Sequence, residues 1–252
     1  MSSERRDTAS GTTTSLERSP VSSYRLQPWS FQPHIAHLVL NHQHQVPLLS
    51  EVRQWTDQIA ALGYTAVRTS ALSRGTARQM ECAGYTVRQE LVLLELNSPR
   101  RALNSMAVSP SNQSARNVTR HLGAEQIELV SDIDVAAFGF DWGLSETAVA
   151  EVCGATPRYR LRGAGDPLAA YAISGRDGRQ GFLQRLSVSP THHRQGLGRA
   201  LVRDSLEWMM RWRVQRVLVN TAFDNHAALA LYQGLGFHRI GERLRVYERS
   251  LL

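Results

Sequence analysis

Residues 182–202, FLQRLSVSPTHHRQGLGRALV, constrain the fold more than any other stretch of this 252-residue chain. Residues 182–188 are rich in apolar side chains and predict a buried strand. Ser189 and Pro190 end it, because proline has no amide hydrogen to give to a ladder. The turn His193-Arg194-Gln195-Gly196-Leu197-Gly198 then leads into an amphipathic run, 199–211, with helical spacing. A strand, a glycine turn and a helix in that order form a device for holding phosphate. Glycine lets the backbone approach an anion closely, and the unsatisfied amides of the helix start point at it. The helix dipole adds roughly half a positive charge at that end.

Composition narrows what such a device serves. Hydrophobic residues make up 42% of the chain, which suits a globular protein with a proper core. No apolar run approaches the roughly eighteen residues needed to cross a bilayer, and no leader pattern is evident at the N-terminus. Two cysteines, Cys82 and Cys153, supply neither a disulfide framework nor a metal cluster, so a cytoplasmic location is expected. The net charge of +7 comes entirely from arginine, since the sequence contains no lysine. These arginines are scattered rather than striped, which argues against nucleic acid as the partner. His34, His37, His42 and His44 lack acidic or cysteine companions at ligand spacing, and no metal site is expected.

In chain order, residues 1–31 are Ser- and Thr-rich without periodicity and read as a disordered tail. A first unit, 32–97, carries a strand at 35–40 and a helix at 50–62 with Ser50 as N-cap. It continues with a strand at 64–69, a helix at 71–83 ended by Gly84, and a long strand to 96. Residues 98–113 are polar and read as a linker. The second unit, 114–252, opens with a strand at 115–122, then short helices at 131–138 and 145–153 flanking a turn at 140–143. Strands at 158–162 and 168–174 precede the phosphate device.

Beyond that device, 216–221 reads as a buried strand and 227–235 as a helix. Asn225 and Tyr232, with Leu229 between them, fall on one helical stripe. Taken together, LSVSP, HRQGLGRAL, VNTAFDN and ALALYQGLGF resemble the GNAT superfamily of acyl-CoA N-acyltransferases. The family's loop reads Q/R-x-x-G-x-G/A, and His193 stands here where glutamine or arginine is usual. A second phase, 195–200, also fits the pattern but sits two residues out of step with the strand.

The resemblance implies an α/β (α+β) fold with a mixed, mostly antiparallel central sheet flanked by helices. It implies an N-acyltransferase, most plausibly an N-acetyltransferase, moving an acetyl group from acetyl-CoA to an amine in direct attack within a ternary complex. The acceptor would be a small molecule or a protein amine, with no metal and no membrane involved. By the same resemblance, Leu186, Ser187 and Val188 pair with the pantetheine arm. The turn His193, Arg194, Gln195, Gly196, Leu197, Gly198 and Arg199 takes the pyrophosphate. Asn220 lies where the strands part, Asn225 contacts the cofactor arm, and Tyr232 protonates the leaving thiolate. A phenol, with a pKa near ~10, carries that proton at neutral pH. Many relatives place a glutamate base on the strand before the loop, whereas this strand offers Gln184, Arg185 and Ser187. Asp141 and Glu146 are the nearest alternatives in sequence. The alternative function is a regulatory module that binds acyl-CoA without transfer.

The first unit repeats part of the second. A shift of 152 positions carries Val67 onto Val219, Thr69 onto Thr221, Gly84 onto Gly236 and Tyr85 onto Phe237. This suggests a tandem arrangement whose first copy is partial and degenerate. Met80 stands opposite Tyr232, Ser73 opposite Asn225, and His44 and Val46 opposite Gly196 and Gly198. Such a copy is expected to bind no acyl-CoA.

Overall fold

The computed structural model describes residues 24–41, 45–107 and 118–252. All of its strands join one ten-stranded sheet. The first half runs β1 (Tyr24–Trp29), β2 (Gln32–Leu40), α1 (Leu49–Ala61), β3 (Ala66–Thr69), α2 (Arg74–Cys82) and β4 (Thr86–Leu96). Then come α3 (Pro99–Ala107), β5 (Thr119–His121), α4 (Ile127–Trp142), α5 (Glu146–Gly154) and β6 (Arg158–Ala164). The second half continues with β7 (Ala170–Asp177), β8 (Gln180–Val188), α6 (Leu197–Arg211), β9 (Arg216–Ala222), α7 (His226–Gly234) and β10 (His238–Ser250).

The repeat expected from sequence is visible as topology. The series β1, β2, α1, β3, α2, β4 recurs as β7, β8, α6, β9, α7, β10, with an antiparallel first pair and a parallel second pair in both. Both α2 and α7 are nine residues long, and each is followed by a glycine at positive φ, Gly84 and Gly236. The next amide then folds back in the same way, Tyr85 N to Met80 O and Phe237 N to Tyr232 O, each at 3.0 Å. These are the left-handed helix ends that glycine supplies without a steric penalty.

The two halves exchange strands. In spatial order the centre of the sheet reads β3, β10, β4, β9, so each half's β10 or β4 lies between two strands of the other. Arg68 pairs with Glu248 across β3 and β10, while Leu94 pairs with Val219 across β4 and β9. The core follows this interleaving. Leu94 and Leu96 of β4 pack with Val217 and Val219 of β9 and with Leu206 and Met209 of α6. Tyr247 of β10 packs with Leu38, Ile59 and Met80 of the first half. Leu197, Leu201, Val202, Leu206 and Met209 form the buried stripe of α6 at helical spacing. Each such side chain contributes about 1.5–3 kcal/mol.

Several expected boundaries move. The stretch read as a tail up to residue 31 contains β1 and the turn into β2, because Tyr24 and Leu26 pack against the first-half core beside Trp55. The stretch read as a linker contains α3, whose Ala102 and Met106 are buried against the α6 core. The N-cap of α1 is Leu48 rather than Ser50, and the Glu51 carboxylate accepts from the Leu48 amide at 2.7 Å. α4 begins four residues before the expected 131 and kinks at Gly139, where φ is 71°. His42, His44 and residues 115–117 of the strand expected at 115–122 lie outside the described residues, and the described part of that strand is β5.

Candidate active site

The parallel pair β8–β9 opens partway along. Pairing runs from Gln180–Arg216 to Leu183–Val219 and stops there. β8 continues to Val188 against β7 alone, while β9 continues to Ala222 against β4. A bulge at Gln184 marks the parting point, since Ile173 faces Arg185 while Ser174 faces Leu183. Leu186, Ser187 and Val188 therefore present one edge with no strand partner. Asn220 lies on the opposite wall of the opening, exposed, and paired with Leu93 only on its far side.

The glycine turn closes the end of this opening. A short 3-10 turn, Pro190–His192, is followed by His193 in extended backbone and Arg194 at φ 63°. Gly196 sits at φ 83° and caps α6, and no side chain caps that helix end. The first helical bond in the turn is Ala200 N to Gly196 O, 3.0 Å. The amides of residues 194–199 have no protein acceptor among the described residues. At Gly198 a Cβ would meet Leu231 Cδ2 at 3.3 Å, so the helix packs closely against α7 there. His193 Nε2 donates to Val188 O at 3.0 Å and ties the turn back to the strand. Arg194 and Arg199 are charged and without ion-pair partners among the described residues. The groove of about 860 Å³ lined by Arg101, Asn104, Met210 and Arg213 lies at the other end of α6 and contains none of these groups.

Tyr232 lies on the buried face of α7, and Asn225 stands just ahead of that helix. The asparagine Oδ1 accepts from Ala228 N at 3.0 Å and caps α7, leaving its NH2 to donate elsewhere. Tyr232 is buried beside Phe237, ring centres 5.7 Å apart. Its hydroxyl has no protein partner among the described residues. Burial pushes its phenol well above the ordinary range, and the nearby Arg185 charge opposes this in part.

The opening holds a group whose role the sequence did not disclose. Arg185 projects from the unpaired part of β8, and Phe138 packs under its guanidinium at 3.9 Å. It makes a two-pronged pair with Asp134 of α4, Nε to Oδ1 at 3.0 Å and Nη2 to Oδ2 at 2.6 Å. Asp134 is fully buried and also accepts from the Tyr171 hydroxyl at 2.6 Å and Leu144 N at 2.8 Å. Arg185 Nη2 reaches Trp142 O as well, at 2.8 Å. This knot fixes the α4–α5 turn over the opening. The signal available in sequence was an arginine inside an apolar strand and an aspartate on the buried face of a helix.

Of the two carboxylates considered as bases, Asp141 is engaged by three donors. Gln32 Nε2 reaches it at 2.9 Å, Arg68 Nη1 at 3.1 Å and Arg88 Nη2 at 2.6 Å. Burial raises its carboxyl, but these donors together outweigh that and hold it below the usual aspartate range. Glu146 is exposed in the first turn of α5. Arg68 belongs to β3, is only 2% exposed, and stacks near Trp29 at 4.5 Å and Trp142 at 5.2 Å. His37 sits edge-on to Trp29 at 4.9 Å and its Nδ1 accepts from Gln27 Nε2 at 3.2 Å. Burial, with Arg25 and Arg68 nearby, lowers its pKa to about 4. Among the described residues, no three His, Cys, Asp or Glu side chains are grouped to hold a metal ion.

Residues 149–237 match the family model described as acetyltransferase (GNAT) family, and this span includes the opening, the glycine turn and α7. Over this span the chain is similar to the GNAT family. Its sequence is 45% identical over 65 residues to mouse N-acetyltransferase family 8 member 3, covering 26% of this chain and 29% of that protein. It is 36% identical over 102 residues to N-alpha-acetyltransferase RimI of Mycobacterium tuberculosis, covering 38% of this chain and 63% of the relative. The match thus spans less than two thirds of either curated relative. A solved tandem GNAT protein from the clavulanic acid biosynthesis pathway superposes with a TM-score of 0.62 at 17% identity, over 90% of this chain and 78% of that one. That likeness concerns the fold alone, and it covers both halves of the chain.

The first half lacks the opening. Its parallel pair β2–β3 stays bonded from Ile35–Ala66 to Leu38–Thr69, and Ser70 N continues it to Leu38 O at 3.0 Å. The Glu51 carboxylate at the start of α1 adds negative charge where the other copy leaves amides free. Met80 is fully buried at the position corresponding to Tyr232.

Proposed function

We propose that the protein is an N-acetyltransferase that moves the acetyl group of acetyl-CoA to an amine by direct attack in a ternary complex. One observation carries the reading: β8 and β9 part after Leu183–Val219, and the unpaired end of β8 leads to a turn whose six amides, Arg194 to Arg199, have no protein acceptor among the described residues. An extended pantetheine arm fits the unpaired edge of Leu186, Ser187 and Val188 by strand addition. A pyrophosphate fits the amides from Arg194 to Arg199, with the helix dipole and two unpaired arginines in support. The free amides of β8 also suit an oxyanion as the carbonyl becomes tetrahedral.

Tyr232 is the proton donor in this reading. Its raised pKa keeps the phenol protonated across the working range, and its unpartnered hydroxyl is available to the sulfur as the C–S bond breaks. Asn220 and Asn225 flank the arm, Asn225 through the NH2 that helix capping leaves free. The acceptor is an amine of a small molecule or a protein. Both cysteines are free thiols, which suits a reducing compartment, and we place the protein in the cytoplasm. No helix among the described residues is long and apolar enough to cross a membrane.

The experiment is thiol release from acetyl-CoA across a panel of primary amines, with the acetylated product identified by mass. Product that depends on both substrates supports the reading. Tight acetyl-CoA binding with no product from any amine supports the regulatory module instead.

A further inference from the structure

We propose that the acceptor enters as a free, weakly basic amine, such as the α-amine of a peptide, and that no side chain of this protein removes its proton before attack. The inference rests on the acetyl-transfer reading above and deepens it.

The charges around the opening carry it. From β8 the group nearest the parting point is a cation, Arg185, where a proton acceptor would be needed. From α4, Asp134 already accepts two bonds from Arg185, one from Tyr171 and one from Leu144 N. From the α4–α5 turn, Asp141 is shared by Arg68, Arg88 and Gln32. From β10, Glu248 meets Arg68 Nε at 2.5 Å and Arg88 at 4.0 Å. From β4, Glu90 meets Arg245 at 2.9 Å and Arg243 at 3.5 Å. β9 contributes Asn220, and α7 contributes Tyr232, a donor. A carboxylate held by guanidinium groups gains little by taking a proton and would break its ion pairs to do so.

Glu146 of α5 and Asp224, just ahead of the α7 N-cap, have no ion-pair partner among the described residues. Both are exposed, and Glu146 lies in the first turn of α5, where a negative charge stabilises the helix end. An ammonium ion approaching Arg185 meets like charge, and each of the carboxylates named above is already held by guanidinium groups, save the exposed Glu146 and Asp224. The neutral amine has no such barrier.

The supply of neutral amine then selects the acceptor class. At pH 7 roughly 10% of an α-amine is neutral, against roughly 0.04% of a lysine ε-amine, from their ordinary pKa values. The bond accounting closes without a protein base. The amine nitrogen bonds to the carbonyl carbon, and the carbon–sulfur bond breaks. The sulfur takes the proton of the Tyr232 hydroxyl, which is restored from water. The nitrogen, cationic once bonded, gives its surplus proton to water, leaving an amide and a thiol.

The test uses the full chain and the amines accepted from the panel, among them glycinamide and the more basic β-alaninamide. kcat/KM is measured from pH 6 to 10 at saturating acetyl-CoA. The expected profile rises tenfold per pH unit and levels at each amine's own pKa, so the midpoint moves from one acceptor to the next by the difference in their pKa. A midpoint common to all acceptors assigns the proton to an enzyme group and overturns the proposal. Glu146→Gln and Asp224→Asn, both at exposed positions, are expected to stay within twofold of the wild type, and a loss of about 100-fold in either also overturns it. Turnover with no amine at any pH defeats the transfer reading and this inference with it, whereas a shared midpoint defeats this inference alone.

Discussion

Arg68 and Asp141 come from the two halves of the chain and meet at 3.1 Å, the guanidinium 2% exposed and the carboxylate 32%. The same guanidinium holds Glu248 and lies against both Trp29 and Trp142. The α4–α5 turn is therefore held from both sides, by Arg185 through Trp142 O and by Arg68 through Asp141. One wall of the opening takes its position from the copy that has no opening of its own.

Arg68→Met keeps much of the side-chain volume and removes the charge. Breaking a fully buried pair costs about 3–5 kcal/mol. Here both carboxylates stay partly in water and keep other donors, so a loss of about 2 kcal/mol is expected. Urea denaturation should show a lower midpoint with an unchanged m-value. A midpoint within error of the wild type would remove this pair from the forces holding the halves together.

The same pair predicts a pH dependence. The Asp141 carboxyl is held below its unfolded value of about 3.9, so its contribution is present above that pH. As pH falls through the lower, folded-state value, both forms bind the proton and the contribution is lost. The stability gap between wild type and Arg68→Met should therefore narrow as the solution is acidified below about pH 4. Denaturant midpoints at pH 7, 4 and 3 measure it.

Gly196 needs its left-handed backbone, at φ 83°, for the turn to present its amides. Gly196→Val is expected to weaken acetyl-CoA binding about tenfold or more, on the order of 1.4 kcal/mol by calorimetry. An unchanged affinity in a folded variant would move the pyrophosphate away from this turn.

One acetyl-CoA is expected per chain. The zipped β2–β3 pair, Glu51 at the start of α1 and Met80 in place of Tyr232 all oppose a second site. A titration of the Gly196→Val variant that still shows one tight site would place that site in the first half.

Tyr232→Phe removes a hydroxyl that has no protein hydrogen bond and leaves the ring against Phe237. Turnover should fall by about 100-fold if the phenol protonates the thiolate, with acetyl-CoA affinity nearly kept. Stability should change by less than about 0.5 kcal/mol. Because the phenol is held above its ordinary pKa, wild-type turnover should show no loss from its ionisation up to about pH 10. Full activity in the variant would return the residue to the core.

Local patterns carried the parts that depend on local physics. The strand that stops at Val188 before Pro190, the turn with Gly196 and the helix after Asn225 are each set within a few residues, and these elements stand close to where the local pattern placed them. The repeat was legible because Gly84 and Gly236 answer the same backbone need at helix ends. What stayed hidden depends on partners distant in sequence. α3 is polar enough to read as a connector, and its Ala102, Leu103 and Met106 reach the core. Arg68 sits between Val67 and Thr69 in a short strand, and nothing nearby announces Asp141 or Glu248. The parting of β8 and β9 has a glycine turn after it but no residue type that marks where pairing stops. The exchange of β4 and β10 left no trace in periodicity, since either neighbour satisfies the same alternation.

That exchange also sets an order of events during synthesis. Arg68 finds its strand partner, Glu248, 180 positions later in the chain. On the ribosome the first half emerges with β3 and β4 both missing the strand that separates them in the finished sheet. A nascent chain of residues 24–107 has two choices, to close β4 directly onto β3 or to wait for its neighbour. The first gives a small self-contained sheet that must reopen before β10 can enter, which makes it a natural trap on the way to the native pairing.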